Sequence, residues 1–278
     1  MSTSKRLAAV LAVGMAATLA VAGIALAAAH STVTMSFSPS ALAPPGTGYT
    51  SGKLSIRTHT SYTYPGGANP GGATQRGQLY FDDDLRVNTN AVPKCAPSSI
   101  DGNNVTLQQA MAVCGSALVG SGTVKAIVPD NPNFGGDQSY FVNGCLRVFN
   151  GQGATSELLM FVRSQVSNPS NISCGTNGTQ GNFSDMLAAD LTANPGSAGA
   201  DYADPDNCSA PIRLGCQLDL NNIPTVTPFP LADFNLAIQQ GSFLAGRCDD
   251  TPQQLNLRTV FTYNDSSTQT VNAFQPCS

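Results

Sequence analysis

The sequence predicts an all-β protein: an antiparallel β-sandwich of Ig-like or jelly-roll type, with about ten strands and one short helix, stapled by disulfides. Three observations predict it. Apolar and polar residues alternate with period 2 in many short runs, Gly (27) and Pro (18) punctuate those runs, and all eight Cys lie beyond an apolar leader. Successive side chains of a strand point to opposite faces, so an apolar residue at every second position marks a strand with one face in a core and one in water.

The chain opens with MSTSKRLAAVLAVGMAATLAVAGIALAAA, residues 1–29, in which Lys5 and Arg6 precede an apolar run from Leu7. Small residues in A-x-A spacing follow at Ala25/Ala27 and Ala27/Ala29. This is the layout of a secretory signal peptide. The run is long enough to span a bilayer as an uncleaved anchor, but Gly14, Thr18 and Gly23 interrupt it, and cleavage is the expected fate. No second run of spanning length follows residue 30, so no membrane span is expected after cleavage, and the product is expected to be secreted or held at the cell surface. Residues 30–278 are expected to form a single β-sandwich domain.

The clearest strand is 53–64, with Leu54, Ile56, Thr58, Thr60, Tyr62 and Tyr64 on one face and Lys53, Ser55, Arg57, His59, Ser61 and Thr63 on the other. A strand of that length is about twice the usual one, which predicts a bend or bulge near Thr58–Thr60. Similar alternation predicts strands at Val33/Met35/Phe37, Leu79/Phe81, Val124/Ala126/Val128, Val142–Val148, Leu158/Met160/Val162, Ile212–Leu220, Phe234/Leu236/Ile238, Leu255–Tyr263 and Val271/Ala273. Thr106 and Gln109 form a T-x-x-Q capping box, so a short helix begins there with Leu107, Ala110, Met111 and Cys114 on one face. Residues 164–208 are rich in Asn, Gly, Ser and Asp, with only Met186–Leu191 looking ordered, and are expected to be a long loop-rich insertion.

An even Cys count in an exported chain predicts four disulfides. Cys248 and Cys277 flank a predicted hairpin that turns at Asn264–Ser267, so a bridge between them would tie its open ends. Cys95 and Cys114 would close the loop that holds the helix. For the inner four, Cys174 with Cys208 and Cys145 with Cys216 is the preferred pairing, and Cys145 with Cys174 and Cys208 with Cys216 is close behind.

Charge excludes one class of partner. Lys plus Arg number 13 against 17 Asp plus Glu, a net charge of -4, so the chain has no basic face to track nucleic-acid phosphates. Zinc lacks its usual ligands, because no C-x-x-C occurs and only His30 and His59 are present.

The remaining polar residues offer several candidate chemistries. No G-x-S-x-G elbow supports a Ser hydrolase, and His59 falls on the polar face of its strand beside Lys53 and Arg57. Glycoside hydrolysis needs two carboxylates, and with Glu157 the lone Glu they would come from Asp, such as Asp82, Asp83 and Asp84 or Asp249 and Asp250. Hard cations take oxygen ligands, so a structural calcium would find them at Asp201, Asp204, Asp206 and Asn207, or at Asp82 to Asp84. No other cofactor is expected. Tyr62 and Tyr64, leading into the Gly-rich YPGGANPGGATQRG, are the candidate platforms for a sugar ligand, although their face is also that of Leu54 and Ile56.

Three stretches, LYFDDDLRVNTNAVPKC (79–95), CGSALVGSGTVKA (114–126) and LADFNLAI (231–238) followed by a Cys, FTYNDSSTQT and the final Cys, resemble a group of secreted β-rich proteins of high-GC actinobacteria with no assigned activity. The resemblance implies a sandwich and the two outer disulfides, and supplies no catalytic residue. It does not extend to the other four Cys or to 164–208. The function expected on these grounds is a non-catalytic surface or extracellular interaction protein whose partner is a cell-envelope polysaccharide or another secreted protein. A glycan-acting hydrolase with paired Asp residues and a structural coat protein are the alternatives.

Overall fold

The computed structural model describes residues 29–44, 48–62, 74–102, 104–127, 141–152, 156–167, 174, 183–192, 212–214, 217–220, 231–248, 253–263 and 265–277. Fifteen strands and one α-helix are built from them. In chain order the strands are β1 (Ala29–Ser38), β2 (Thr50–Ser51), β3 (Lys53–Tyr62), β4 (Thr74–Phe81), β5 (Leu85–Asn88), β6 (Leu118–Ile127), β7 (Phe141–Asn150), β8 (Ser156–Ser167), β9 (Phe183–Thr192), β10 (Ile212–Leu214), β11 (Gln217–Leu220), β12 (Leu231–Ile238), β13 (Leu244–Gly246), β14 (Gln254–Tyr263) and β15 (Thr268–Pro276). The helix α1 (Leu107–Cys114) lies between β5 and β6.

Eleven strands form one sheet in the order β1-β3-β12-β6-β7-β8-β9-β11-β4-β14-β15, with every neighbouring pair antiparallel. The mostly antiparallel β architecture with one short helix is as expected, but the large sheet curls until its two outer strands meet, so its shape is nearly that of a barrel rather than clearly a two-sheet sandwich. Alternation cannot separate the two outcomes, because a strand facing a second sheet and a strand facing a barrel interior both bury every other side chain.

The interior is mainly apolar, and in β1, β12 and β14 the alternation is regular. Val33, Met35 and Phe37 of β1, Leu54 and Ile56 of β3, Phe234, Leu236 and Ile238 of β12, and Leu255, Leu257 and Phe261 of β14 belong to one buried cluster. Burial of this area is the dominant favourable term in the fold, at roughly 25 cal/mol per Å² of apolar surface removed from water.

A four-stranded sheet, β10-β5-β13-β2, covers one end of the barrel, where Leu85, Phe243 and Leu244 join the core. Between the cap and the barrel lies a void of about 30 Å³ lined by apolar residues including Leu54, Leu158, Leu218 and Phe243. It is one water in size and offers a water no polar partner.

A second, smaller core sits on the outside of the barrel. The Thr106 side chain accepts a bond from the Gln109 N–H while the Gln109 side chain accepts from the Thr106 N–H, which starts α1 as the capping box predicts. Leu107, Ala110 and Cys114 of the helix then pack with Phe149, Leu159 and Phe161 of the outer faces of β7 and β8.

Several sequence expectations change. β3 is ten residues long and pairs with β1 and β12 without a register shift, so no bulge interrupts Thr58–Thr60; both threonines are buried instead. The run 212–220 is two strands in different sheets. Within 164–208, residues 164–167 end β8, and 183–192 form β9, which pairs with β8 and β11 inside the large sheet. Small residues such as Ala188 and Ala189 and the Asn- and Gly-rich flanks hid that strand.

Disulfides join Cys95 to Cys114 and Cys248 to Cys277. Cys145 pairs with Cys174, Cα to Cα 5.4 Å, so the preferred partner, Cys216, is displaced by the alternative. Cys145 faces outward on β7, within reach of chain that leaves β8 and returns to β9. Cys208 and Cys216 lie outside the described residues.

Candidate functional site

Three places gather polar side chains: the capped end of the barrel, the seam where the sheet's edges meet, and the outer face.

At the capped end, the chain leaving β4 turns through Asp82, Asp83 and Asp84, whose carboxylate oxygens lie within 4.8 Å of one another. Asp82 and Asp84 are buried. Asp82 Oδ1 accepts the Asp84 N–H at 2.9 Å, and its Oδ2 accepts the N–H and the Nδ2 of Asn256 at 2.6 and 3.0 Å. Asp84 Oδ1 accepts Arg247 Nε at 2.7 Å. The guanidiniums of Arg86 and Arg247 stand 4.7 and 4.9 Å from the Tyr49 ring centroid. Arg247 thus sets a positive charge against Asp84, and Asp82 ties β4 to β14. The other candidate calcium ligands, Asp201, Asp204, Asp206 and Asn207, lie outside the described residues, as do Asp249 and Asp250.

At the seam, β1 and β15 run parallel. Eleven strands that alternate in direction leave the first and last pointing the same way. No backbone ladder joins them among the described residues. Two glutamines take its place. The Gln269 side chain accepts the Ser31 N–H at 2.7 Å and donates to the Ser31 carbonyl at 2.9 Å. The Gln275 side chain accepts the Phe37 N–H and donates to the Phe37 carbonyl at 2.9 Å. Each primary amide offers a donor and an acceptor in the order of a peptide group, so it substitutes for one rung. Inside the seam, Ser31 Oγ bonds Thr60 Oγ1 at 2.8 Å and the Tyr263 hydroxyl at 2.7 Å. Burial pushes the Tyr263 phenol above its ordinary pKa, against the bond from Ser31.

The outer face is short, polar and rich in hydroxyls. Thr32, Thr34, Ser36 and Ser38 of β1, Ser55, Arg57, His59 and Ser61 of β3, and Thr268, Thr270 and Asn272 of β15 all point away from the core. His59 Nδ1 meets Asp233 Oδ1 of β12 at 2.7 Å, with the imidazole side chain 61% exposed. It is a solvent-facing strand His, as its position predicts. Asn235 donates to Thr123 Oγ1 at 3.1 Å beside it. One large apolar ring stands on this face: Phe274, 63% exposed, directly opposite Asn256 in the β14–β15 register. Neither Gln269, Gln275 nor Phe274 is picked out by motif; the signal for the glutamines was a polar residue at each end of the inward row Gln269, Val271, Ala273, Gln275.

Of the residues considered for sugar binding, Tyr62 ends β3 opposite Ala29 and Tyr64 lies outside the described residues. On another part of the outer face, Asp190 of β9 lies directly opposite Asp219 of β11. Arg76 holds Asp219 through two bonds, Nε to Oδ1 at 2.9 Å and Nη2 to Oδ2, and Asp219 raises the guanidinium pKa further. Asp190 Oδ1 is buried without a hydrogen-bond partner among the described residues.

No helix among the described residues is long and apolar enough to cross a membrane. The polar outer faces of β1, β3 and β15 are the reverse of the apolar band that a membrane-spanning barrel shows to lipid. No family model matches the chain, and neither a curated protein nor a solved structure matches it.

Proposed function

We propose that this is an exported, non-catalytic binding protein of the cell surface or extracellular space, with cell-envelope polysaccharide as its partner. The observation that carries the reading is the continuous hydroxyl-rich outer face of β1, β3 and β15, interrupted by the exposed Phe274 ring. Neutral sugars are recognised by many short donors and acceptors together with an aromatic face on which a pyranose ring stacks. The disulfides and the leader at 1–29 are consistent with export. The apolar void of about 30 Å³ between the cap and the barrel is too small for a sugar.

The test is depletion from solution by insoluble cell-wall material. The wild-type protein is expected to be depleted saturably, and Phe274→Ala to bind at least tenfold more weakly with its melting temperature unchanged. A wild type that stays in the supernatant would remove the reading.

Glycan hydrolysis is the second reading, favoured by one observation, the opposed pair Asp190 and Asp219. Paired carboxylates are the chemistry that glycosidic cleavage needs. The salt bridge to Arg76 engages Asp219, which leaves Asp190 as the proton-handling group. Loss of turnover in Asp190→Asn, with melting unchanged, is the result that reading requires.

A further inference from the structure

We propose that the β1–β15 seam is a gate, the line along which this barrel opens into its apolar interior while the remaining strand pairs stay zipped. Neighbouring strands of the large sheet alternate in direction, and an odd number of them cannot close without one parallel pair, which here is β1 with β15. A backbone ladder is absent from that pair alone, and the two glutamine side chains span it at its ends.

The spacing of the ties shows what lies between them. Ser31 and Phe37 are six residues apart on β1, and Gln269 and Gln275 are six apart on β15. Alternate residues of a strand direct their N–H and C=O to the same side. Ser31 and Phe37 direct theirs across the seam, so Val33 and Met35, of the same parity, direct theirs there as well. No ladder rung meets them. Thr32, Thr34 and Ser36 direct theirs to β3, where a continuous register receives them.

Opposite Val33 and Met35 stand Val271 and Ala273, and all four belong to the interior cluster or pack against it. The middle of the seam is thus held by apolar contact alone. Every other boundary between neighbouring strands is held by a hydrogen-bonded ladder. Widening this one boundary breaks the two glutamine ties and the Ser31–Tyr263 hydroxyl bond; widening any other breaks backbone rungs along its length. The tie at one end also accepts the Tyr263 hydroxyl at 2.8 Å, which in turn bonds Ser31 Oγ, so the Gln269 tie and the hydroxyl bonds at that end are one network.

Residue-resolved amide hydrogen exchange on the oxidised protein tests this. The Val33 and Met35 amides are expected to exchange at least tenfold faster than those of Thr32, Thr34 and Ser36, although Val33 and Met35 are the more buried residues. In the Gln269→Leu/Gln275→Leu variant, Ser31 and Phe37 are expected to join the fast group, while Val148 of β7 and Leu257 of β14 keep their protection. Equal protection along β1 in the wild type would overturn the gate, and so would a variant in which exchange rises uniformly through the barrel. Should that variant not fold, a Met35→Cys/Ala273→Cys crosslink is expected to slow Val33 exchange by tenfold or more, and an unchanged rate would overturn the proposal.

Discussion

Arg247 reaches Asp84 across 163 residues of sequence, Nε to Oδ1 at 2.7 Å, while its guanidinium lies over the ring of Tyr49. The pair joins the turn after β4 to the start of the segment that carries Cys248, and it places a buried carboxylate against a cation that is still partly solvated. Removing the acid strands the arginine, and removing the arginine strands the acid. Asp84→Ala is expected to cost about 3 kcal/mol, the lower part of the range for breaking a buried pair, because Arg247 keeps some contact with water. Chemical denaturation measures it, and a loss of less than about 1 kcal/mol would mean that the pair behaves as a surface salt bridge.

The inner disulfide is open to direct mapping. Peptide mass spectrometry of unreduced protein is expected to find Cys145 linked to Cys174. A loop of 29 residues contributes about 3–4 kcal/mol through the unfolded chain, so Cys145→Ser with Cys174→Ser should lower stability by that order. A Cys145–Cys216 peptide would contradict the pairing.

Glycines at two rungs of β6 are required by close approach. A Cβ on Gly122 would lie 1.8 Å from the backbone oxygen of Asn235, and one on Gly120 would lie 2.5 Å from that of Ala237. Since the obstacle is backbone in a paired strand, it cannot swing aside. Gly122→Ala is expected to destabilise by about 2–3 kcal/mol, with the β6–β12 amides losing exchange protection first.

Stability should fall with rising pH through one carboxylate. Burial raises the pKa of Asp185 above its ordinary 3.8, against the N–H of Met186 and with some help from the charge of Asp101. Between the ordinary and the raised value the unfolded chain binds fewer protons than the folded one, so the folded state loses ground as pH climbs through that window. Asp185→Asn is expected to flatten this decline in a series of melting curves from pH 3 upward. A wild type whose stability rises throughout that window would refute the assignment. Asp265 works in the opposite sense: bonds from Ser267 hold its pKa down, so its contribution appears as pH rises.

Much of the barrel wall was legible because burial on one face writes itself directly as period 2. β1, β12 and β14 bury every second residue along their whole length. Closure was not legible, since it depends on how many strands join and in what direction, which no single run records. β5 and β13 are too short to show a period, and their Leu85 and Leu244 read as isolated apolar residues. At the candidate site, the outward position of His59 followed from its strand, whereas its partner Asp233 lies 174 residues away and is set beside it only by the pairing of β3 with β12. The Asp82–Asp84 turn was visible as a charge cluster, but the pairing of Asp84 with Arg247 required the cap to fold over the barrel end.

The parallel meeting of β1 and β15 also fixes where the chain enters and leaves. Ala29 starts β1 at the uncapped end, and Pro276 ends β15 beside the cap, about 30 Å away for a strand of nine or ten residues. A pull applied between these points drags β1 lengthwise against β3, while at the other end the Cys248–Cys277 bridge ties the end of β15 to the chain ahead of β14. All rungs of the β1–β3 ladder then carry the load together, and none can be unpicked singly from a free end. A body anchored at one terminus and gripped at the other would be loaded in shear, the direction in which a β-ladder resists extension best.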